Sequence, residues 1–164
     1  MALTLFLLRH AKTQPAGSGE SDFDRPLYKE GVSQSIRLGH RLAELNIHPE
    51  VVVGSPAKRA KDTLLNVIPF IGITEQEIHF NELIYTGDTE DLLEFIRATD
   101  DQYKSVLLTG HNPSITSLAS YLVRSFNDSM SPCDFIQIDF DLPGWNLLSK
   151  RSGTLKNILS GSSL

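Results

Sequence analysis

Four side chains able to handle a phosphoryl group stand where apolar runs end. Arg9 and His10 interrupt "LFLLRHAKT" (5–13), Arg59 lies in "VVVGSPAKRAKDT" (51–63), and His111 follows the apolar part of "VLLTGHNPS" (106–114). Arginine forks match phosphate oxygens bidentately, and a neutral imidazole can attack phosphorus and carry the phosphoryl group as a covalent intermediate. Taken singly, each residue has an ordinary explanation: a surface charge at a strand end, or a histidine capping the turn before "NP". Taken together, four such residues at three equivalent strand ends form a phosphate pocket with a nucleophile in it. A metal site built on His10 and His111 is the competing chemistry. It ranks well below, because two neighbouring guanidinium groups oppose a divalent cation.

These residues need a scaffold that brings strand ends together. The runs Leu3 to Leu8, Val51 to Val53 and Val106 to Leu108 are short, continuous and flanked by turn residues, as in strands buried on both faces of a parallel sheet. Helical periodicity lies between them: Val32, Ile36, Gly39 and Ala43 within 29–45, then Ala57, Ala60, Leu64, Val67 and Ile68, then Ile115, Leu118, Ala119, Leu122 and Val123. A weaker helix is expected over about 89–98, with Asp88 as N-cap and Asp91 in its first turn. The alternation defines an α/β fold, a three-layer sandwich with a mostly parallel central sheet and helices on both faces. "FIQIDF" (135–140) alternates like a half-exposed strand, expected antiparallel at the sheet edge, and a last strand is expected near 145–148. Ser55 and Asn112 read as N-caps, with Pro56 and Pro113 at the first helical positions. Helix starts of this kind favour anions, yet Arg59 falls in a first turn, where the macrodipole disfavours a cation. A negative partner for Arg59 is therefore expected.

Composition narrows the function. The chain has 164 residues, 40% hydrophobic and 21% charged, with a net charge of -5. That suits one domain spanning 1–164 with its own core. General nucleic-acid binding is excluded by the acidic balance and the lack of a Lys/Arg run. No stretch approaches the ~20 apolar residues of a membrane span, and the N-terminus reads as a strand rather than a signal peptide, so a cytoplasmic location is expected. Cys133 is single, which excludes an internal disulfide and leaves an inert small hydrophobe. The stretch 17–22, "GSGESD", reads as a polar loop, the Ser-rich end as frayed, and Arg25 as an ordinary solvated charge. None of His40, His48 and His79 requires a catalytic role.

"LLRHAKT" resembles the Arg-His motif of the histidine phosphatase superfamily, whose fold is phosphoglycerate mutase-like. "SPAKRAKDT" resembles its second motif and "GHNPSI" its late Gly-His motif, so the resemblance covers 3 to about 120. The short length and "DFDRPLYKEG" are most similar to small phosphohistidine phosphatases of the SixA type. Ala11 stands where many relatives have Gly, and the Asn of the mutase branch is absent; both departures point away from a mutase. The resemblance implies a metal-independent phosphatase without cofactor: His10 as nucleophile, Arg9, Arg59 and His111 binding the phosphoryl oxygens, and an acidic residue protonating the leaving group; Asn112, next to His111, is also expected to bind substrate. Glu82 occupies the place of that acid, and equally reads as an exposed loop carboxylate. Only one helix is expected between Glu82 and Val106, which leaves no room for a cap over the pocket. An open pocket suits phosphohistidine on a protein partner, such as a phosphotransfer domain. A small phosphomonoester such as a sugar phosphate is the enzymatic alternative, and a noncatalytic phosphoryl-binding module the alternative of another class.

Overall fold

The computed structural model describes residues 2–17 and 19–164; Met1 and Ser18, the latter inside the expected 17–22 loop, lie outside the described residues. Six strands form one sheet: β1 (Ala2–Arg9), β2 (Val51–Gly54), β3 (Ile78–Phe80), β4 (Ser105–Gly110), β5 (Phe135–Asp141) and β6 (Gly153–Leu159), in the order β3-β2-β4-β1-β5-β6. The first four in that order run parallel, while β5 is antiparallel to both β1 and β6. Alternation along β1 divides the core. Leu3, Leu5 and Leu7 pack with α4 (Thr89–Arg97) and α5 (Ser114–Leu122), whereas Phe6 and Leu8 pack with α1 (Lys29–Glu44) and α2 (Lys58–Val67). Helices therefore cover both faces, the three-layer α/β arrangement expected from the sequence. Among the described residues no helix is long and apolar enough to cross a membrane.

Several local expectations give way to packing. In α1, Val32 and Ile36 are exposed and Ala43 half-buried, while Gly31, Gln34, Ser35, Leu38, Gly39 and Leu42 face inward. Small residues win that face because α2 and the turn after it approach closely: a Cβ on Gly39 would meet the Phe70 ring at 2.5 Å. The antiparallel strand 135–141 is not at the edge, since β6 pairs outside it. The segment near 145–148 is no strand but a 3-10 turn, Trp145–Leu147, whose fully buried indole donates to the Tyr103 carbonyl at 2.7 Å. The Ser-rich end forms another 3-10 turn and is tied down: the Gly161 N–H donates to Asp134 and Gln34 donates to the Gly161 carbonyl. Two helices, not one, lie between the expected acid and β4: α3 (Glu82–Thr86), followed by α4. Asp88 caps α4 with Asp91 in its first turn, as expected, and the two form a capping box.

Candidate active site

The sheet order explains how distant motifs meet. Because β4 lies between β2 and β1, the carboxyl ends of all three open side by side: Arg9 is level with Gly110, and Gly54 with Thr109. Open parallel sheets hold ligands at that edge. The main chain continues this register one step further, with His10 N–H donating to the Gly110 carbonyl and Ser55 N–H to the Thr109 carbonyl.

The four expected residues converge there. The rings of His10 and His111 lie 5.2 Å apart, and both imidazoles interact electrostatically with Arg9 and Arg59. His10 is buried, and its Nδ1 lies 2.8 Å from the Ala11 carbonyl. A carbonyl only accepts, so Nδ1 carries the proton and Nε2 keeps a free lone pair. His111 Nε2 lies 2.7 Å from Ser55 Oγ, which already accepts from the Ala57 N–H. His111 Nδ1 is buried without a partner among the described residues, and in the tautomer whose Nε2 accepts the Ser55 hydroxyl it presents an N–H. Arg9 Nε and Arg59 Nε are buried and unpartnered in the same way. Three such N–H donors around two imidazoles form a site for an oxyanion.

Protonation states follow from burial. Desolvation first, then the neighbouring His111, Arg59 and Arg9, lower the His10 pKa to about 3, against the opposing Ala11 hydrogen bond. Burial and then Arg59 lower that of His111 to about 4. Both rings are neutral near pH 7. The Cys133 thiol is buried and pushed up to about 12, so it stays protonated and inert.

Local helix starts differ from the expected caps. The N-cap of α2 is Ala57, not Ser55, and the helix begins at Lys58 rather than Pro56. Ser55 is instead drawn to His111, which competes for its hydroxyl. The N-cap of α5 is Pro113, so Pro113 is not its first helical residue and Asn112 is not its cap; Val123 falls just outside the helix. The Asn112 amide donates to the Met130 carbonyl at 2.9 Å, and Thr116 donates to its oxygen. The same Met130 carbonyl accepts from Arg9 at 2.8 Å, so Asn112 is bonded beside Arg9 rather than standing free. Arg59 does sit in the first turn of α2, and the negative partner expected for it is Asp22, at 3.1 Å.

Glu82 stands at the start of α3, beyond the carboxyl end of β3, exposed, with its carboxylate free of hydrogen bonds and ion pairs to the described residues. The same short helix turns Tyr85 inward instead, edge-on to His111 and Phe23 with ring centroids 5.5 and 5.2 Å apart. Asp22 and Tyr85 escape sequence reasoning: one lies in a polar loop, the other on a five-residue helix, and they meet at 2.8 Å across 63 positions. Arg25 is not the solvated charge expected. It donates to Thr13, the Gln14 carbonyl and Asp22. His40 packs on Phe70 and His48 bonds the Ile71 carbonyl. Among the described residues no group of three or more His, Cys, Asp or Glu side chains could hold a metal ion.

Neutral histidines among arginines at the carboxyl edge of a parallel sheet fit a phosphatase. The chain belongs to the Histidine phosphatase superfamily (branch 1), which it matches over residues 5–90. It is 31% identical to an uncharacterised protein of Mycobacterium leprae over 121 residues, 72% of each chain. It is also 29% identical, over 72% of its own length, to an uncharacterised chloroplastic protein of Arabidopsis thaliana, and spans 58% of that relative. Its fold is like that of the protein histidine phosphatase SixA complexed with tungstate, with a TM-score of 0.82 and 22% identity over 98% of this chain and 99% of that one. The mycobacterial glucosyl-3-phosphoglycerate phosphatase is a more distant fold match, with a TM-score of 0.65 and 16% identity over 95% and 98%.

Proposed function

We propose that this chain is a metal-independent phosphatase that removes the phosphoryl group from phosphohistidine on a protein partner in the cytoplasm. The observation that carries the reading is the His10 tautomer: Nδ1 engaged with the Ala11 carbonyl, Nε2 free, and a pKa far below neutrality. In the first step the Nε2 lone pair forms a bond to phosphorus, and the bond to the leaving atom breaks with its electron pair going to that atom. In the second, a water oxygen bonds to phosphorus, the P–Nε2 bond breaks, its electron pair returns to Nε2, and the water's proton departs to solvent. Arg9, Arg59 and the Nδ1–H of His111 meet the oxygens as charge redistributes, a preorganised electrostatic role. A binding module would need the arginines but not a neutral, buried nucleophile.

The protein substrate rests on two features. Only the short α3 and α4 lie between β3 and β4, too little to cap the pocket. Neither carboxylate near the site stands as a positioned proton donor. Asp22 is held near pKa 2, and Glu82 is exposed with no partner among the described residues. A phosphorylated imidazole, protonated by solvent near neutral pH, needs less help to leave than an alkoxide.

Rapid mixing with a phosphohistidine-bearing phosphotransfer domain should trap an acid-labile, alkali-stable phosphoryl adduct, which His10→Ala should not form. Rates on that substrate, compared with a panel of sugar phosphates and measured with and without a chelator, test the remainder. An adduct on His10→Ala overturns the nucleophile assignment, and chelator-abolished turnover restored by metal overturns metal independence. Preference for a sugar phosphate by orders of magnitude replaces the protein substrate with a small phosphomonoester.

A further inference from the structure

We propose that Asp22 is the positioning residue of Arg59, a carboxylate that fixes the guanidinium for phosphoryl transfer and is itself held by Tyr85 and Arg25. The inference rests on the reading of Arg59 as a phosphoryl ligand. Arg59 donates through one terminal nitrogen to the Asp22 backbone carbonyl at 2.7 Å and through the other to its carboxylate at 3.1 Å. Both terminal nitrogens are therefore engaged by one residue. Nε is buried and unpartnered, and each terminal nitrogen keeps a second N–H, so three of the five donors remain to meet an oxyanion. A guanidinium is planar, so fixing two of its nitrogens fixes the direction of the third.

Asp22 is in turn over-determined. The Tyr85 hydroxyl donates to the same carboxylate oxygen that Arg59 engages, at 2.8 Å, while Arg25 reaches the other oxygen at 3.1 Å. Arg25 also bonds Thr13 and the Gln14 carbonyl, in the segment that leaves His10. Tyr85 is fixed by ring contacts to Phe23 and His111, and the Arg59 guanidinium lies 5.9 Å from its ring centre. The result is a chain of contacts that starts on α3, passes through the loop after β1 and ends at the first turn of α2. Its end point is a buried cation placed where the helix dipole opposes it. Hydrogen bonds from Tyr85 first, and then from the two guanidiniums, keep Asp22 ionised, so it acts as an anchor and not as a proton donor at neutral pH.

Substitution of Asp22 by Asn keeps the shape but presents an N–H₂ group or a neutral oxygen where two cations donate. Arg59 then keeps the main-chain carbonyl but loses its carboxylate partner, so its orientation loosens and its contribution to the transition state falls. The loss is bounded by that of Arg59→Ala, roughly 10² to 10³ in rate for one preorganised donor. For Asp22→Asn we expect kcat/KM on an aryl phosphate to fall about tenfold or more, mostly in kcat, as for residues coupled in one network. Tyr85→Phe, which keeps the ring contacts, should show a smaller loss of the same kind, and no further loss when added to Asp22→Asn.

The discriminating measurement is the cycle with Arg59. Asp22→Asn should change neither kcat nor KM appreciably in an Arg59→Ala background, because its effect passes through that guanidinium. A full Asp22→Asn loss in that background overturns the proposal and leaves the reading of Arg59 intact. So does undiminished kcat/KM with tighter inhibition by orthophosphate, the behaviour of a carboxylate that merely obstructs the pocket. If Arg59→Ala by itself leaves turnover unchanged, the phosphoryl-ligand reading fails and the proposal goes with it. Melting temperatures of all variants, with Tyr85→Phe as the mildest, separate lost orientation from lost folding.

Discussion

The proposed nucleophile, His10, is unprotonated near neutral pH because burial, not a neighbouring base, lowers its pKa. The sign is fixed by which form reacts: the neutral ring attacks, so a lowered pKa widens the active range downward. An ordinary imidazole at 6.5 would be about a quarter protonated at pH 7 and mostly protonated by pH 6, whereas His10 at about 3 and His111 at about 4 are neutral well below that. Ring-proton NMR shifts of these two histidines should therefore stay constant from pH 7 to about 5. Over the same range kcat/KM, counted on the substrate dianion, should remain flat. A midpoint near 6.5 in either measurement would show that water reaches the rings. At this scale the sequence is informative about Arg9, His10 and His111 because each stands at or just past the end of an apolar strand, and about Arg59 because a cation in the first turn of the helix after such a strand opposes the helix dipole. It is silent about Asp22 and Tyr85. Nothing local distinguishes them from other loop and helix residues, and their importance arises only from contacts across 37 and 63 positions.

At the scale of elements, close approach decides what hydrophobicity alone does not. Periodicity finds α1 but turns its Val32 and Ile36 inward, whereas the buried face carries Gly31, Ser35 and Gly39, residues chosen for smallness rather than apolarity. Gly31 shows the reason most clearly: a Cβ there would lie 2.1 Å from the Lys12 carbonyl oxygen. That carbonyl cannot easily move, because it accepts from the Tyr28 N–H, while the Lys12 N–H donates to Gln34. Alanine in a helix gains about 1 kcal/mol of propensity over glycine, but overpacking against fixed backbone loses roughly 1–3 kcal/mol. Gly31→Ala should therefore be destabilising on balance, with a lower urea midpoint at unchanged m-value. An increased midpoint would mean that β1's exit segment yields freely. The misplaced last strand has a similar origin. "WNLL" is apolar enough for a strand, yet the Trp145 N–H is held by Asp101 and the indole by the Tyr103 carbonyl, so the segment folds as a plug beside α4.

For the molecule as a whole, the order β3-β2-β4-β1 aligns four carboxyl ends along one edge, and the function depends on what each delivers. The inner three deliver the histidines and arginines, a local basic cluster in a chain of net charge -5. The outermost delivers α3, which sends Tyr85 inward and leaves Glu82 on the surface. That geometry bears on substrate choice. A positioned general acid is worth on the order of 10² to 10⁴ in rate when an alkoxide must leave, and much less when the leaving group is an imidazole protonated from solvent. If Glu82 reaches a bound substrate, Glu82→Gln should depress alkyl phosphate hydrolysis by about that factor while sparing a phosphohistidine protein. If it remains where the free structure holds it, the substitution should leave both substrates untouched, and phosphohistidine should already be much the faster. Measuring native enzyme and Glu82→Gln side by side on both substrates tests the protein-substrate reading. Equal losses on the two, with a sugar phosphate strongly preferred by the native enzyme, would count against phosphohistidine while leaving the His10 chemistry in place.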